Sequence, residues 1–312
     1  MPRKIIIDTD PGQDDAVAIL LALASPELEV LGIVAVAGNV GLHHNANNAL
    51  KIAELAGRAD VPVYAGCARP MRRTLVTAEH VHGDTGLNGP DLPAPKTPLQ
   101  AQHGVDYIID TLMAAEPKSI TLCTLGPLTN IGMALVKQPA IADRIAEIVM
   151  MGGGYFEAGN ITPAAEFNIY VDPEAADLVM RCGAPITMMT LDVTHQIQST
   201  PERLNAIRAI GNKSGTAVYE MLSFSESFDL KKYGWDGAPL HDPTVIAYLL
   251  RPELFTGRLC NVSIETASEL TVGMTVADYW HVTDKPRNVN YMRNGNAAGF
   301  YALLLERLAL LP

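Results

Sequence analysis

Short apolar runs rich in β-branched residues recur along this chain, separated by stretches that read as helices. The runs "KIIID", "LEVLGIVAVAGN", "VPVYAG", "SITLCTLG", "IAEIVMMGGG" and "APITMMTLD" are strand-like. Between them, "DDAVAILLALA", "HHNANNALKIAELAG", "GVDYIIDTLMAA" and "DPEAADLVMRCG" carry helical periodicity. Strand and helix in alternation predict an α/β fold, an open, mostly parallel central sheet with helices on both faces. The runs are almost wholly apolar, as strands buried on both faces must be. No Gly/Ser linker, low-complexity block or repeat interrupts the pattern, and 312 residues at 48% hydrophobic are enough for one large core. A single domain over 1–312 is expected.

Polar residues gather where these strands end: Asp8 and Asp10 after the first, Asn39 after the second, Gly126-Pro127 after "TLCTL". In open α/β sheets the carboxyl edge is where ligands bind. The same edge receives "MGGGYFEAGNITPAAEFNIYVDPEAA", whose consecutive glycines let backbone approach a ligand and which then supplies Asn160, Glu166 and Asn168.

The first strand runs into "DTDPGQDDAV", placing Asp8, Asp10, Asp14 and Asp15 within eight residues. Like charges this close repel and raise each other's pKa, so the arrangement is costly unless a cation or some chemistry uses it. Any one of these acids could simply favour a helix start, but one helix end needs about one capping carboxylate. Hard divalent cations take oxygen ligands, and a tight Pro11-Gly12 turn can converge positions 10 and 15. The choice between calcium and magnesium stays open at this level. Asp242, after His241 in "PLHDPTVIAYLL", is a further candidate, although Asp before Pro is also an ordinary N-cap signature. Asp172-Pro173 and Asp229 read as structural acids of that kind. His80 and His82 in "EHVHGDTG" read first as loop residues, and His43, His44 and His195 as structural or surface residues. A strand followed by Asp-x-Asp also opens haloacid-dehalogenase-type phosphatases, but Gly12 stands where that motif needs Thr or Val.

The formal net charge of -11, from 34 acidic and 23 basic residues, argues against a nucleic-acid or anionic-membrane partner. The cysteines at 67, 123, 182 and 260 are far apart, with no CxxC pair, which suits a reducing compartment. No run reaches the roughly 18 apolar residues of a membrane span, and the apolar "III" is too short for a signal-peptide core. A cytoplasmic protein is expected.

Taken in order, "DTDPGQDDAVAI", "AGN", "HGDTG", "GPLTN", "AEFNIYVDPEAA" and "LHDP" resemble the inosine-uridine nucleoside hydrolase family from Lys4 to about Thr275. The resemblance implies a Rossmann-like sheet and calcium-dependent hydrolysis of the N-glycosidic bond of ribonucleosides. It implies that Asp10, Asp15, Asp242 and the Leu125 carbonyl hold calcium, and that Asp14 is the general base toward the attacking water. Asn39, Asn160, Glu166 and Asn168, with Phe167 among them, match substrate-gripping positions. His241 and His82 match positions facing the leaving base, where an imidazole can protonate it or stack on it. Asp8 is expected to bond a neighbouring loop. Gln13 departs from the family pattern and is expected to affect the turn more than the chemistry. The segment "MLSFSESFDLKKYGWDGAPLHDP" should close over the base with Phe224, Phe228, Tyr233 and Trp235 as its aromatics, and its frame leans toward pyrimidine-preferring members. The family is commonly a homodimer or homotetramer. The competing class is a binding or sensing protein that keeps the calcium and ribose pocket without turnover, and free ribose released from a nucleoside panel discriminates the two.

Overall fold

A computed structural model describes the backbone of residues 1–312 and the side chains of all but 226–229 and 231–233. Phe228, Asp229 and Tyr233 therefore lie outside the described side chains. The six strands expected from the sequence are present: β1 (Arg3–Thr9), β2 (Leu28–Ala35), β3 (Val63–Ala65), β4 (Ile120–Thr124), β5 (Ile145–Met151) and β6 (Ile186–Met189). A short β7 (Gln198–Ser199) pairs with β8 (Ala238–Pro239) apart from the main sheet. Three more strands were not apparent from apolar runs: β9 (Phe255–Ile264), β10 (Thr275–Asp278) and β11 (Val289–Gly295). Much of β9 is exposed and its buried positions are interrupted, so it lacks the continuous apolar signature of β1.

The nine-stranded sheet runs β10-β9-β11-β6-β5-β4-β1-β2-β3. It is parallel from β3 to β11 and antiparallel where β9 pairs with β11 and β10. Successive β1 side chains feed different cores. Ile5 and Ile7 pack with helices α1 (Gln13–Leu23) and α2 (Leu42–Leu55), while Ile6 packs on the other face with the helices over 104–114 and 129–137. Short helices follow at the carboxyl edge: α3 (Glu79–His82), then, after α4 (Gly104–Ala114) and α5 (Thr129–Lys137), α6 (Phe167–Val171), α7 (Pro173–Met180) and α8 (Leu191–Thr194). The remainder are α9 (Pro201–Arg208), α10 (Lys213–Tyr233), α11 (Pro243–Leu250) and α12 (Ala297–Leu308).

From β1 the chain builds outward to β2 and β3, then returns to the other side of β1 with β4, β5 and β6. This reversal opens a crevice above the carboxyl ends of β1 and β4, the usual ligand position in such sheets. The pairing of Asp8 with Thr124 fixes what faces it, because it carries Asp10 level with the Leu125-Gly126 turn. All four cysteines are free thiols. Among the described residues no helix is long and apolar enough to cross a membrane.

Candidate active site

Of the acids that the sequence crowds together, Asp14 lines the crevice with Asp242, while Asp10 and Asp15 are buried and absent from its wall. Asp10 follows β1, and Asp14 and Asp15 open α1. One carboxylate oxygen from each of Asp14, Asp15 and Asp242 lies within 4.8 Å of the others. Asp15 answers both readings of a helix-start acid: it accepts the Gly12 amide at 3.0 Å, capping α1, and also the Asn39 amide at 3.1 Å and the Thr9 hydroxyl. Asp14 is half-buried and lines the pocket. Asp242 is buried and precedes α11, yet its side chain makes no cap hydrogen bond and its backbone is already helical. The N-cap explanation therefore fails for Asp242.

Asp10 is packed from two sides by backbone. A Cβ on Gly38 would stand 2.0 Å from Asp10 Oδ2, and one on Gly126 would stand 2.3 Å from Oδ1. Asp10 Oδ2 accepts the Asn39 amide at 2.7 Å, while Oδ1 is buried with no hydrogen-bond partner. None of the ion pairs formed by Lys or Arg among the described residues involves these acids. Burial pushes the Asp10 carboxyl well above the usual range, and Asp15 beside it adds to the shift. Asp242 is raised well above it too, by burial and by Asp14, Asp15 and Asp10. Asp10 is not among the three converged carboxylates, but its charge interacts with Asp15 and Asp14. A buried oxygen without a partner, near carboxylates that no described Lys or Arg compensates, fits a hard divalent cation. Asp8 accepts the Asn130 amide at 2.8 Å, at the start of α5, and stays outside the converged cluster; its Oδ1 is likewise buried without a hydrogen-bond partner, and burial raises its pKa to about 8.

The other expected residues converge on the same pocket, whose wall includes Asn39, His82, Leu125, Asn160, Glu166 and Phe167. Asn168 and His241 line it as well. Asn168 donates to the Leu125 carbonyl at 2.6 Å, tying α6 to the end of β4. Glu166 caps α6, accepting the Asn168 amide at 3.0 Å, and also takes the Gly153 amide at 2.9 Å. Asn160 accepts the Phe167 amide at 2.8 Å. The glycine run differs from expectation: Gly152, Gly153 and Gly154 are absent from the pocket wall. Gly153 adopts φ +69° and a Cβ there would meet Thr275 Oγ1 at 2.4 Å, so its glycine serves a turn that aims an amide at Glu166.

Two residues carry more than the sequence reading gave them. Gln13 is buried, its amide nitrogen donating to the His82 and Asn88 carbonyls at 3.0 and 3.1 Å, with its oxygen 2.6 Å from His82 Nδ1. It thus braces the 79–88 segment against α1, more than a turn effect, and burial lowers the His82 pKa to about 4. His195, expected to be structural or on the surface, lines the pocket beside His241, with ring centroids 5.9 Å apart. His241 Nδ1 lies 2.7 Å from the Thr194 hydroxyl. Of the candidate aromatics, Trp235 packs edge-on against His195 at 4.8 Å and Phe224 is exposed.

Comparison with known proteins agrees with this geometry. The inosine-uridine preferring nucleoside hydrolase family matches residues 5–302. An uncharacterised protein of Schizosaccharomyces pombe is 53% identical over 309 residues, covering 99% of this chain and 100% of the relative. The pyrimidine-specific ribonucleoside hydrolase RihA of Photobacterium profundum is 49% identical over 311 residues, 99% of each chain. A solved plant nucleoside hydrolase superposes with a TM-score of 0.92 at 35% identity, covering 99% of both chains. With a whole-chain match and these relatives, the chain belongs to the inosine-uridine preferring nucleoside hydrolase family, enzymes that hydrolyse the N-glycosidic bond of ribonucleosides.

Proposed function

We propose that this chain is a calcium-dependent, pyrimidine-leaning ribonucleoside hydrolase, a single cytoplasmic domain assembled as a homodimer or homotetramer and acting on free nucleosides rather than on nucleic acid or at a membrane. The observation that carries the metal reading is the convergence of Asp14, Asp15 and Asp242 beside the unpartnered Asp10 Oδ1. Asp10, Asp15, Asp242 and the Leu125 carbonyl would hold the ion, and the all-oxygen donor set suits calcium. Calcium held there would compensate the carboxylates and supply Lewis acidity toward the nucleophilic water.

The remaining work falls to side chains. Asp14, half-buried at the pocket, accepts the proton of the water that attacks the anomeric carbon. Asn39, Asn160, Glu166, Phe167 and Asn168 bind the sugar, and their hydrogen bonds strengthen as it gains oxocarbenium character. The Thr194 hydroxyl orients His241 for proton donation to the departing base, while His82 borders the base from the 79–88 segment. The pyrimidine lean is supported by the 49% identity to the Photobacterium profundum enzyme of that description.

The test is free ribose released from uridine, cytidine, inosine and adenosine in calcium-replete buffer, with 2′-deoxyuridine alongside uridine. Uridine and cytidine should be the better substrates. A site built to hydrogen-bond a substrate hydroxyl rejects the analogue lacking it, so kcat/KM for 2′-deoxyuridine should be about 10⁴-fold lower. Equal values would overturn the sugar-binding assignment, and calcium binding without ribose release would replace the hydrolase with a sensor.

A further inference from the structure

We propose that His195 is a second imidazole in contact with the departing base, with Glu157 as the residue that positions it. The inference rests on the hydrolase reading above and extends it to a pair of residues which that reading leaves without a role.

The argument starts from α8, one turn of helix at the carboxyl end of β6. Its Leu191 amide donates to the Gly153 carbonyl at 2.8 Å, docking the turn beside the glycine run. Asp192 is buried and accepts the amides of Phe156 at 3.1 Å and Glu157 at 2.5 Å, together with the Tyr291 hydroxyl. That grip fixes the backbone of the 155–157 segment without using the Glu157 side chain. The Glu157 carboxylate turns back, and its Oε2 lies 3.6 Å from His195 Nδ1. Thr194, the residue before, takes Nδ1 of His241. Two successive residues of one turn thus bring two imidazoles to one pocket wall: His241 Nδ1 bonds the Thr194 hydroxyl, and His195 Nδ1 stands within ion-pair distance of the Glu157 carboxylate, beyond hydrogen-bond reach.

A purely structural role explains this poorly. The Glu157 side chain is 51% exposed while that of His195 is only 10% exposed, and an ion pair with one exposed partner contributes little to stability. The segment is already held through Asp192. The pair does, however, fix which ring nitrogen faces the carboxylate, a usual way of orienting an imidazole toward a substrate. Trp235, edge-on to the ring at 4.8 Å, limits its rotation from another side. Cleavage of the N-glycosidic bond leaves charge on a base rich in carbonyl and N–H groups, and His195 hydrogen-bonds that base as it departs. No proton need be transferred by His195, since His241 supplies it.

The experiment compares two leaving groups on one sugar. Uridine needs help for its base to leave, whereas p-nitrophenyl β-D-ribofuranoside releases a stable phenolate unaided. His195→Ala should lower kcat/KM for uridine roughly 10- to 100-fold, the loss of one hydrogen bond to a charged group. It should lose far less on the nitrophenyl riboside. Glu157→Gln, a change at an exposed carboxylate that the fold does not depend on, should show the same leaving-group pattern at smaller amplitude. Equal losses on both substrates in both variants, or no loss on uridine, would overturn the assignment. Wild-type protein that hydrolyses neither substrate would overturn the hydrolase reading itself, a result separable from either of those.

Discussion

Asp172-Pro173 and Asp242-Pro243 are the same dipeptide at the start of two short helices, both buried, and the fold uses them in opposite ways. Asp172 meets donors: the Ala175 amide at 3.1 Å, the Met71 amide at 2.8 Å and the Thr129 hydroxyl at 2.7 Å. It caps α7 and ties two other segments to it. Asp242 leaves its helix uncapped by its side chain, and the Thr244 amide turns to the His241 carbonyl instead. Its carboxyl meets other carboxyls. An acid surrounded by donors is explained by the fold, and an acid surrounded by acids is not, so the second kind points to a ligand.

The comparison is broken most directly at Asp242. Asp242→Ala should abolish detectable ribose release and calcium binding, while the calcium-free protein unfolds at the same temperature as wild type or higher, because a buried like charge has been removed. Calcium should raise the melting temperature of wild type and leave that of the variant unmoved, since only a native-state binder stabilises by mass action. A destabilised calcium-free variant would make Asp242 structural after all. Next in size is Asp14→Asn, expected to retain calcium and nucleoside binding and lose at least ~100-fold in kcat, the low end for a positioned base. Unchanged turnover would remove Asp14 from the mechanism. The smallest kinetic effect belongs to Asp172→Ala. It should lose about 1 to 3 kcal/mol in denaturant unfolding through its stranded donors and keep kcat/KM for uridine, whereas a large kinetic loss would erase the distinction between the two dipeptides.

How far the chain could be read in advance follows from how local each signal was. The β1–α1 unit was legible because an apolar run, a Pro-Gly turn and four acids sit in adjacent positions. The strands β1 to β6 were legible because burial on both faces leaves little alternation, whereas β11, though parallel to β6, is only partly buried. The antiparallel edge was not, because β9 is exposed over much of its length and its polar positions resemble loop. His195 was missed for a related reason: its significance comes from Glu157 and Trp235, which reach it from distant loops, and nothing beside it in the sequence marks it. Gln13 sits inside the recognised motif, yet its partners lie in the 79–88 segment, so its bracing role became visible only once the chain was folded.

The glycines flanking Asp10 also bear on how this protein can be changed. At positions 38 and 126 any side chain would land on the Asp10 carboxyl, so every substitution there trades one small atom for displacement of a buried charge. The pocket's other boundary, around His80, Leu222 and Ser225, is formed by side chains on α3 and α10. A selection for new base preference should therefore draw its successful variants from that outer boundary, and a library randomised at 38 and 126 should return glycine alone.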